Sequence, residues 1–416
     1  MRSSREKRVV NSPRPGCLAS IRTRLGGFAW ACAIFLTTCF ASGESTASAE
    51  PLAGLVFVDR NENGIRDTDE RGLAGVAVSD QSAVVITDNE GRFRLEHDAD
   101  GTGLLFVSVP NGFRSVGSFW TKAVDGARFA LTPTRDQDTF TFVHASDLHV
   151  SRESLARTQR MRTMADALKP AFVIITGDLV KDALRVGEAE ARGYYELVAA
   201  ERREFRAPVF TVPGNHEAFG IETKSSHVDP KHPLFGRGMY REYFGPDYYS
   251  FTYGGVHFVA LNTVDINGEW YYGHVDARQL AWLKRDVREI PDDMPVVTFD
   301  HIPFYTTMDQ IGGFNESATA AATLIAVDGR TQFRHSVANA PAVLAVFGTR
   351  RRVLALGGHF HVAERIERPG ENVRYATAAA TVGPVGPFPS GFTLYTVRHG
   401  EIDSGRFIQL DAGGSP

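Results

Sequence analysis

Two histidines sit one residue apart at the end of an apolar run, His359 and His361 in VLALGGHFHV (residues 353–362). In an extended segment positions i and i+2 share a side, so this spacing predicts two imidazoles facing one place. The same kind of ending recurs along the chain. FTFVHAS runs into Asp147-Leu148-His149, AFVIIT into Gly177-Asp178, PVFTV into Pro213-Gly214-Asn215-His216-Glu217, and PVVTF into Asp300-His301. Imidazole nitrogen with carboxylate and amide oxygen, and no thiolate, suits a borderline divalent ion such as Mn, Fe or Zn. Asp147, His149, Asp178, Asn215, His301, His359 and His361 are seven side chains. One tetrahedral site takes only about four, so two ions are implied. Two such ions about 3.5–4 Å apart hold a bridging hydroxide and clamp the attacking and leaving oxygens of an in-line displacement at phosphorus. That arrangement hydrolyses phosphate esters without a covalent intermediate.

These residues need elements that bring five chain segments together. From about residue 139, apolar strand-like runs alternate with helix-compatible stretches at residues 151–168, 187–206 and 276–289. The alternation predicts a layered α/β domain, in which ligands bind where the carboxyl ends of the strands gather at one edge. Residues 50–133 read differently. Short alternating stretches between turn residues (LAGLVFVD, GVAVSD, AVVITD, GRFRLEHD, GLLFVSVP) predict a small all-β sandwich. The polar run TPTRDQD reads as a linker. The expected order is therefore a targeting segment at 1–49, the sandwich at 50–133, the linker at 134–138, a catalytic domain at 139–400 and a tail at 401–416.

Inside the sandwich, DRNENGIRDTDE (residues 59–70) meets the calcium-loop pattern D-x-[DN]-x-[DN]-G-x5-E. Its expected ligands are Asp59, Asn61, Asn63, the Ile65 carbonyl, Asp67 and Glu70, with Gly64 at the turn. A strand precedes the loop and no helix follows it, so it would join strands, either around a structural calcium ion or as a solvated acidic turn. It resembles the calcium-bearing loops of immunoglobulin-like repeats in bacterial surface proteins. TDNEGRF (residues 87–93) resembles the turn of carboxypeptidase-regulatory-type sandwiches.

The order D-x-H, G-D, G-N-H-E, H and G-H-x-H resembles the calcineurin-like metallophosphoesterases over about residues 140–397. YFGPDYYSF (residues 243–251) is similar to members with an N-terminal β-domain. The resemblance implies a four-layer α/β/β/α domain holding two transition ions. On it, Asp147, His149 and His361 hold the first ion, Asp178 bridges, and Asn215, His301 and His359 hold the second. His216 then contacts the phosphoryl oxygen or protonates the leaving group, help typically worth about 10²–10⁴-fold. Purple acid phosphatases resemble the pattern but begin with Asp-x-Gly and carry a tyrosine three positions after the bridging aspartate, where this chain has His149 and Lys181. Specificity is expected from loops, the one at residues 218–238 with Lys224, His227, Lys231, His232 and Arg237 being a candidate. The substrate is expected to be a phosphate-ester small molecule or a cell-envelope component, with monoester, diester and pyrophosphate all open. The rival reading is a surface-binding module whose phosphoesterase domain is vestigial, and the intact donor set counts against it.

Composition bounds the setting. With 43% apolar content in 416 residues the chain can bury a large core. Basic residues precede an apolar run at 28–40 and small residues ending Ala47-Ser48-Ala49, as in a secretory signal peptide cleaved after Ala49. An uncleaved anchor is the rival, although that run is short of the ~20 residues a span needs. Cys17, Cys32 and Cys39 all lie in this segment, so the rest has no thiol, which is safe in an oxidising compartment. Losing the segment's net +5 takes the formal charge from −4 to −9, which argues against a nucleic-acid duplex as partner. The expectation is an exported protein, periplasmic or extracellular, at a membrane only if the segment is retained. His97, His144, His227, His232, His257, His274, His335 and His399 complete no ligand set by spacing and read as ordinary core or surface residues. Asp300, beside His301, reads as a group that either orients its neighbour or caps a turn.

Overall fold

The computed structural model describes residues 51–98, 100–135, 137–308, 323–348, 350–371 and 373–411. The expected signal segment lies outside the described residues. Residues 51–133 form eight strands: β1 (Pro51–Val58), β2 (Ala77–Ser79), β3 (Val84–Ile86), β4 (Arg92–Glu96), β5 (Leu104–Val107), β6 (Phe113–Ser115), β7 (Trp120–Lys122) and β8 (Ala127–Pro133). They pair as two four-stranded sheets, β4-β1-β8-β6 and β3-β2-β5-β7. The sequence of β4 shows why: exposed Arg92, Arg94 and Glu96 alternate with buried Phe93 and Leu95, the period of a strand with one face on a core. Val56, Val78, Leu105, Phe129 and Leu131 join them there. The expected calcium loop begins at Asp59, directly after β1.

Strands resume as β9 (Thr139–Ala145), β10 (Phe172–Thr176), β11 (Val209–Val212), β12 (Tyr249–Tyr253), β13 (Val256–Ala260), β14 (Val264–Asn267), β15 (Trp270–Gly273) and β16 (Val296–Phe299). They continue as β17 (Leu324–Val327), β18 (Arg330–Phe333), β19 (Arg352–Gly357), β20 (Glu364–Glu367), β21 (Arg374–Thr377), β22 (Gly391–Arg398), β23 (Glu401–Ile402) and β24 (Arg406–Gln409). The helices are α1 (Leu155–Ala167), α2 (Glu188–Arg203), α3 (Thr223–Ser226), α4 (Gly238–Phe244), α5 (Ala277–Asp286) and α6 (Ala340–Phe347). Local chemistry trims the helices the sequence predicts. α5 starts after Asp276, whose carboxylate accepts the Gln279 N–H at 2.8 Å, and carries Lys284 and Arg285 in its last turn, where they complement the helix dipole. α1 stops short of Lys169-Pro170, where the proline disfavours helical backbone before it.

Two six-stranded sheets position the site. One runs β11-β10-β9-β22-β23 with β24 on β22, the other β12-β13-β16-β19-β21-β20. FVIIT of β10 is buried along its length because both faces are covered. Phe172 and Ile174 pack between the sheets, where Phe172 meets Phe258 edge-on at 5.1 Å between ring centres. Val173 and Ile175 pack against Met161, Tyr195 and Phe244 of α1, α2 and α4. Trp282 and Leu283 of α5 and Val343 and Phe347 of α6 cover the second sheet, giving the α/β/β/α order expected. Within the expected tail, residues 401–402 and 406–409 are strand. β23 and β24 run antiparallel to β22, and Ile408 and Leu410 are buried. RFIQL alternates over too few residues to stand out in sequence.

The β-region packs into this core. Phe106 lies edge-on to Trp282 at 6.3 Å, and Phe119 lies 5.0 Å from Tyr249. Gln81 Nε2 donates to Asp247 Oδ1 (3.1 Å) and Tyr248 O (2.8 Å), and Tyr248 returns its hydroxyl to Gln81 O (2.6 Å). Arg241 holds both oxygens of the same Asp247 at 3.0 Å.

Candidate metal centre

The chemistry-bearing residues arrive from the carboxyl ends of both sheets. β9, β10 and β11 lead into Asp147 with His149, Asp178, and Asn215; β16 and β19, in the other sheet, lead into His301 and into His359 with His361. The expected single sheet edge is thus a seam between two. The extended His359-x-His361 geometry also gives way. β19 ends at Gly357, and His359 (φ 74°) and His361 (φ 62°) sit in left-handed backbone, as do Asp147 (53°), His149 (43°) and Asp178 (48°). Such conformations cost L-residues roughly 1–2 kcal/mol each and persist where surrounding structure imposes them. Two glycines permit the crowding. A Cβ on Gly214 would meet Asp178 Oδ1 at 2.2 Å, and one on Gly358 would meet Ser146 Oγ at 2.0 Å.

Two donor sets result. Asp147, His149, Asp178 and His361 bring one atom each within 4.8 Å of one another, and Asp178, His301 and His359 do the same. In the first, His361 Nε2 lies 3.2 Å from Asp147 Oδ1 and 3.2 Å from His149 Nε2. In the second, His301 Nε2 lies 3.1 Å from Asn215 Oδ1, 3.3 Å from Asp178 Oδ1 and 3.2 Å from His359 Nδ1. Asp178 belongs to both, its Oδ1 facing His301 and its Oδ2 lying 3.6 Å from His149 Nε2. Burial disfavours charge on Asp178, but His301 and His216 outweigh it and hold the carboxyl well below its ordinary value. Burial, then neighbouring His335 and His301, keeps His359 well below the usual imidazole range. Burial opposes the charged form of His301 as well, yet the Asp178 and Asp147 carboxylates raise it to about 9.

Supporting groups fix these donors. The His301 Nδ1–H donates to Thr176 O at 2.7 Å, which leaves Nε2 for the cluster. Asp300 does not orient the ring: both its oxygens are buried without hydrogen-bond partners, and burial pushes its carboxyl far up. His216 donates from Nδ1 to Lys181 O (2.6 Å) and its own N–H to Asp178 Oδ1 (2.9 Å), and its Nε2 lies 3.9 Å from Asp178 Oδ2. Glu217, to which sequence reasoning assigns no role, ties the loops together. Its Oε2 accepts the N–H groups of Asp178 (2.9 Å) and Gly214 (2.6 Å), its Oε1 that of Val180 (2.9 Å). Burial and the Asp178 charge push Glu217 up to about 8 against the Val180 and Gly214 N–H groups and His301. The G-N-H-E motif contains it, but only the fold reveals which N–H groups it meets.

Other expectations resolve elsewhere. His144 is buried with Nε2 3.0 Å from Thr176 Oγ1, and burial lowers it to about 3. In the loop at 218–238, Lys224 pairs with Glu269 (3.0 Å), His232 with Glu188 (3.2 Å), and Arg237 with Asp265 (3.0 Å) and Asp276 (2.9 Å). Its charge is largely matched within the protein. Tyr271 packs edge-on to His359 at 6.0 Å. His335, read from sequence as ordinary, places Nδ1 2.7 Å from His359 Nε2. In the expected calcium loop, Asp59 Oδ2 accepts the Gly64 N–H (2.7 Å), Asn61 and Asn63 amides donate to Asp67 Oδ2 (2.7 and 3.2 Å), and Glu70 accepts from Arg60 N (2.8 Å) and Asp67 N (3.0 Å). Ile65 is exposed. These carboxylates do not form a converging donor set among the described residues, but Asp59 Oδ1 is buried and receives no hydrogen bond.

The donor sets fit divalent ions. Ligands about 2.0–2.2 Å from a common ion sit roughly 3.0–3.5 Å apart, the spacing of the nitrogens and oxygens above. Asp147 Oδ1 is moreover buried with no hydrogen bond of acceptable geometry, an expensive arrangement unless something cationic meets it. The calcineurin-like phosphoesterase family matches residues 140–363, and the N-terminal domain of calcineurin-like phosphoesterases matches residues 60–124. A serine-aspartate repeat-containing protein F of Staphylococcus epidermidis is 31% identical over 87 residues, and the match spans 18% of this chain and only 5% of that protein. A dimetal phosphatase from Danio rerio aligns over 65% of this chain and 99% of its own at 15% identity, with a TM-score of 0.42. A purple acid phosphatase from yellow lupin, Lupinus luteus, covers 89% of this chain and 68% of its own at 14% identity and a TM-score of 0.44. On the family match, which takes in more than half of its residues, this chain belongs to the calcineurin-like phosphoesterases.

Proposed function

We propose that this protein is an exported, dinuclear-metal-dependent hydrolase of phosphate esters. The observation that carries the reading is Asp178, whose two carboxylate oxygens face different imidazole sets, Oδ1 toward His301 and Oδ2 toward His149. One carboxylate shared in this way suits a pair of ions. Asp147, His149 and His361 would hold one, Asn215, His301 and His359 the other. When bound, the ions would supply Lewis-acid neutralisation of charge developing at phosphorus and activation of water. The chain's own part is positional and protonic. Lys181 O keeps a proton on His216 Nδ1, so Nε2, the nitrogen 3.9 Å from Asp178 Oδ2, is where a proton is taken up and delivered to the leaving oxygen. Glu217 and Thr176 O hold Asp178 and His301 against thermal displacement. Export rests on the basic, apolar and small-residue order of residues 1–49.

Loop 59–70 is proposed to bind calcium, on the motif's spacing and on the buried Asp59 Oδ1, which receives no hydrogen bond. The loop's work would be structural.

Elemental analysis of the purified chain, with Mn-supplemented turnover of bis-p-nitrophenyl phosphate and p-nitrophenyl phosphate, tests the main reading. About two transition ions per chain are expected, together with turnover that Asp178→Ala abolishes while far-UV circular dichroism is retained. The ratio between the two substrates separates diester from monoester preference. Unchanged turnover in Asp178→Ala would refute the mechanism, and a wild-type chain that takes up no metal and turns over neither ester would hand the field to the surface-binding module.

A further inference from the structure

His359 has one nitrogen more than the donor set uses. Its Nδ1 lies 3.2 Å from His301 Nε2, and its Nε2 points the other way, 2.7 Å from Nδ1 of His335. The two rings are tilted by only 26°, and the Tyr271 ring stands edge-on to both, at 6.0 Å from His359 and 6.3 Å from His335. His335 is held in place by its backbone surroundings. Arg334 O accepts the Gly273 N–H at 2.9 Å, Val337 N donates to Pro303 O at 3.1 Å, and Ala338 N donates to Gly273 O at 2.7 Å. Buried Arg334 lies over the Tyr271 ring, 4.1 Å from its centre, and pins the segment to β15.

A neutral imidazole has one N–H and one lone pair. If the lone pair of Nδ1 is to reach an ion, the proton must sit on Nε2, and in this partly buried place it needs an acceptor. Resting on the dinuclear reading above, we propose that His335 is a positioning residue: through Nδ1 it accepts the Nε2–H of His359 and so fixes the tautomer and ring angle that aim His359 Nδ1 at the set shared with Asp178, Asn215 and His301. His335 acts behind the ligand and not beside it. Its own proton then sits on Nε2. Sequence gives no sign of this, because His335 stands 24 residues from its partner in a stretch with no ligand spacing.

The test is metal binding rather than turnover. Full-length wild type, His335→Ala and His335→Gln are stripped of metal and titrated with Mn²⁺ against a chromophoric chelator. Loss of such an outer hydrogen-bond partner typically weakens metal affinity about 10–100-fold. The expectation is that His335→Ala keeps one wild-type site and loses affinity at the other by that factor. His335→Gln, whose side-chain carbonyl can accept the same N–H, should recover most of it. Thermal melts of the metal-free proteins check that all three are folded. Two wild-type affinities in His335→Ala would overturn the proposal while leaving the dinuclear reading intact, and so would a glutamine variant as weak as the alanine one. A wild-type chain that binds no Mn²⁺ would remove the dinuclear reading and this inference with it.

Discussion

His216 and Glu217 are neighbours with different work, and mutation separates them. His216 is anchored by its Nδ1–H on Lys181 O and its own N–H on Asp178, and its Nε2 stands 3.9 Å from Asp178 Oδ2, so His216→Ala should lower kcat by about 10²–10⁴-fold and leave the metal stoichiometry at its wild-type value, read by elemental analysis on the same sample. A variant that loses metal would mean the side chain is a ligand. Above about pH 8, where Glu217 is ionised, Glu217→Gln keeps size and changes one acceptor oxygen to a donor, leaving at least one of the N–H groups of Asp178, Gly214 and Val180 unmatched. That costs about 1–3 kcal/mol in a urea titration. Turnover should fall as well, by about 10²-fold, because the misplaced loop carries Asp178, the carboxylate common to both donor sets. Equal stability in both proteins would show that the clamp is dispensable. At this scale the motif histidines were legible from type and position after an apolar run, whereas His335 and Glu217 were not. Their importance lies in which nitrogen or N–H they meet, and that is settled only when distant loops are stacked.

At the scale of elements, the joint between the β-region and α4–β12 converges on Asp247. Burial disfavours its carboxylate, but Arg241, Arg237 and the Asn262 amide more than compensate, and the group titrates far below the ordinary 3.8. A depressed carboxyl contributes stability above its unfolded value that is lost as pH falls through the folded one. Asp247→Asn should therefore cost about 3 kcal/mol at pH 7 in urea midpoints, with the gap to wild type closing as the pH drops below the ordinary carboxylate value. A gap that does not change with pH would show that the contact works through shape and not charge. The alternation in RFRLE and the apolar FVIIT announce β4 and β10 in sequence, since burial of one or both faces writes itself into every residue. Three-residue strands such as β2 and β7 and the final pair after β22 carry too few positions for a period to form.

At the scale of the whole molecule, Phe106 and Phe119 of the β-region are packed against Trp282 and Tyr249, so the β-region and the two-sheet core are expected to unfold together. Calcium bound at loop 59–70 should then raise the single transition that also ends activity. With an affinity of about 0.1–1 mM, usual for extracellular calcium modules, 10 mM calcium adds roughly 1.4–2.7 kcal/mol, read as a rise of a few degrees by calorimetry and abolished in Asp59→Ala. Two separate transitions, or no calcium shift in the wild type, would count against this coupling. The sequence by itself determined the alternation of strands and helices, the seven convergent donor types and the calcium-type spacing, because those depend on residue chemistry and on periods of two and 3.6 along the chain. Tertiary structure alone decided that the donors meet at the seam of two sheets, that Asp178 shares its oxygens between two sets, and that His335 stands behind His359. Those are relations across chain separations of up to more than 200 residues, such as the 212 between His149 and His361, and only packing of the layers brings such partners to hydrogen-bond distance.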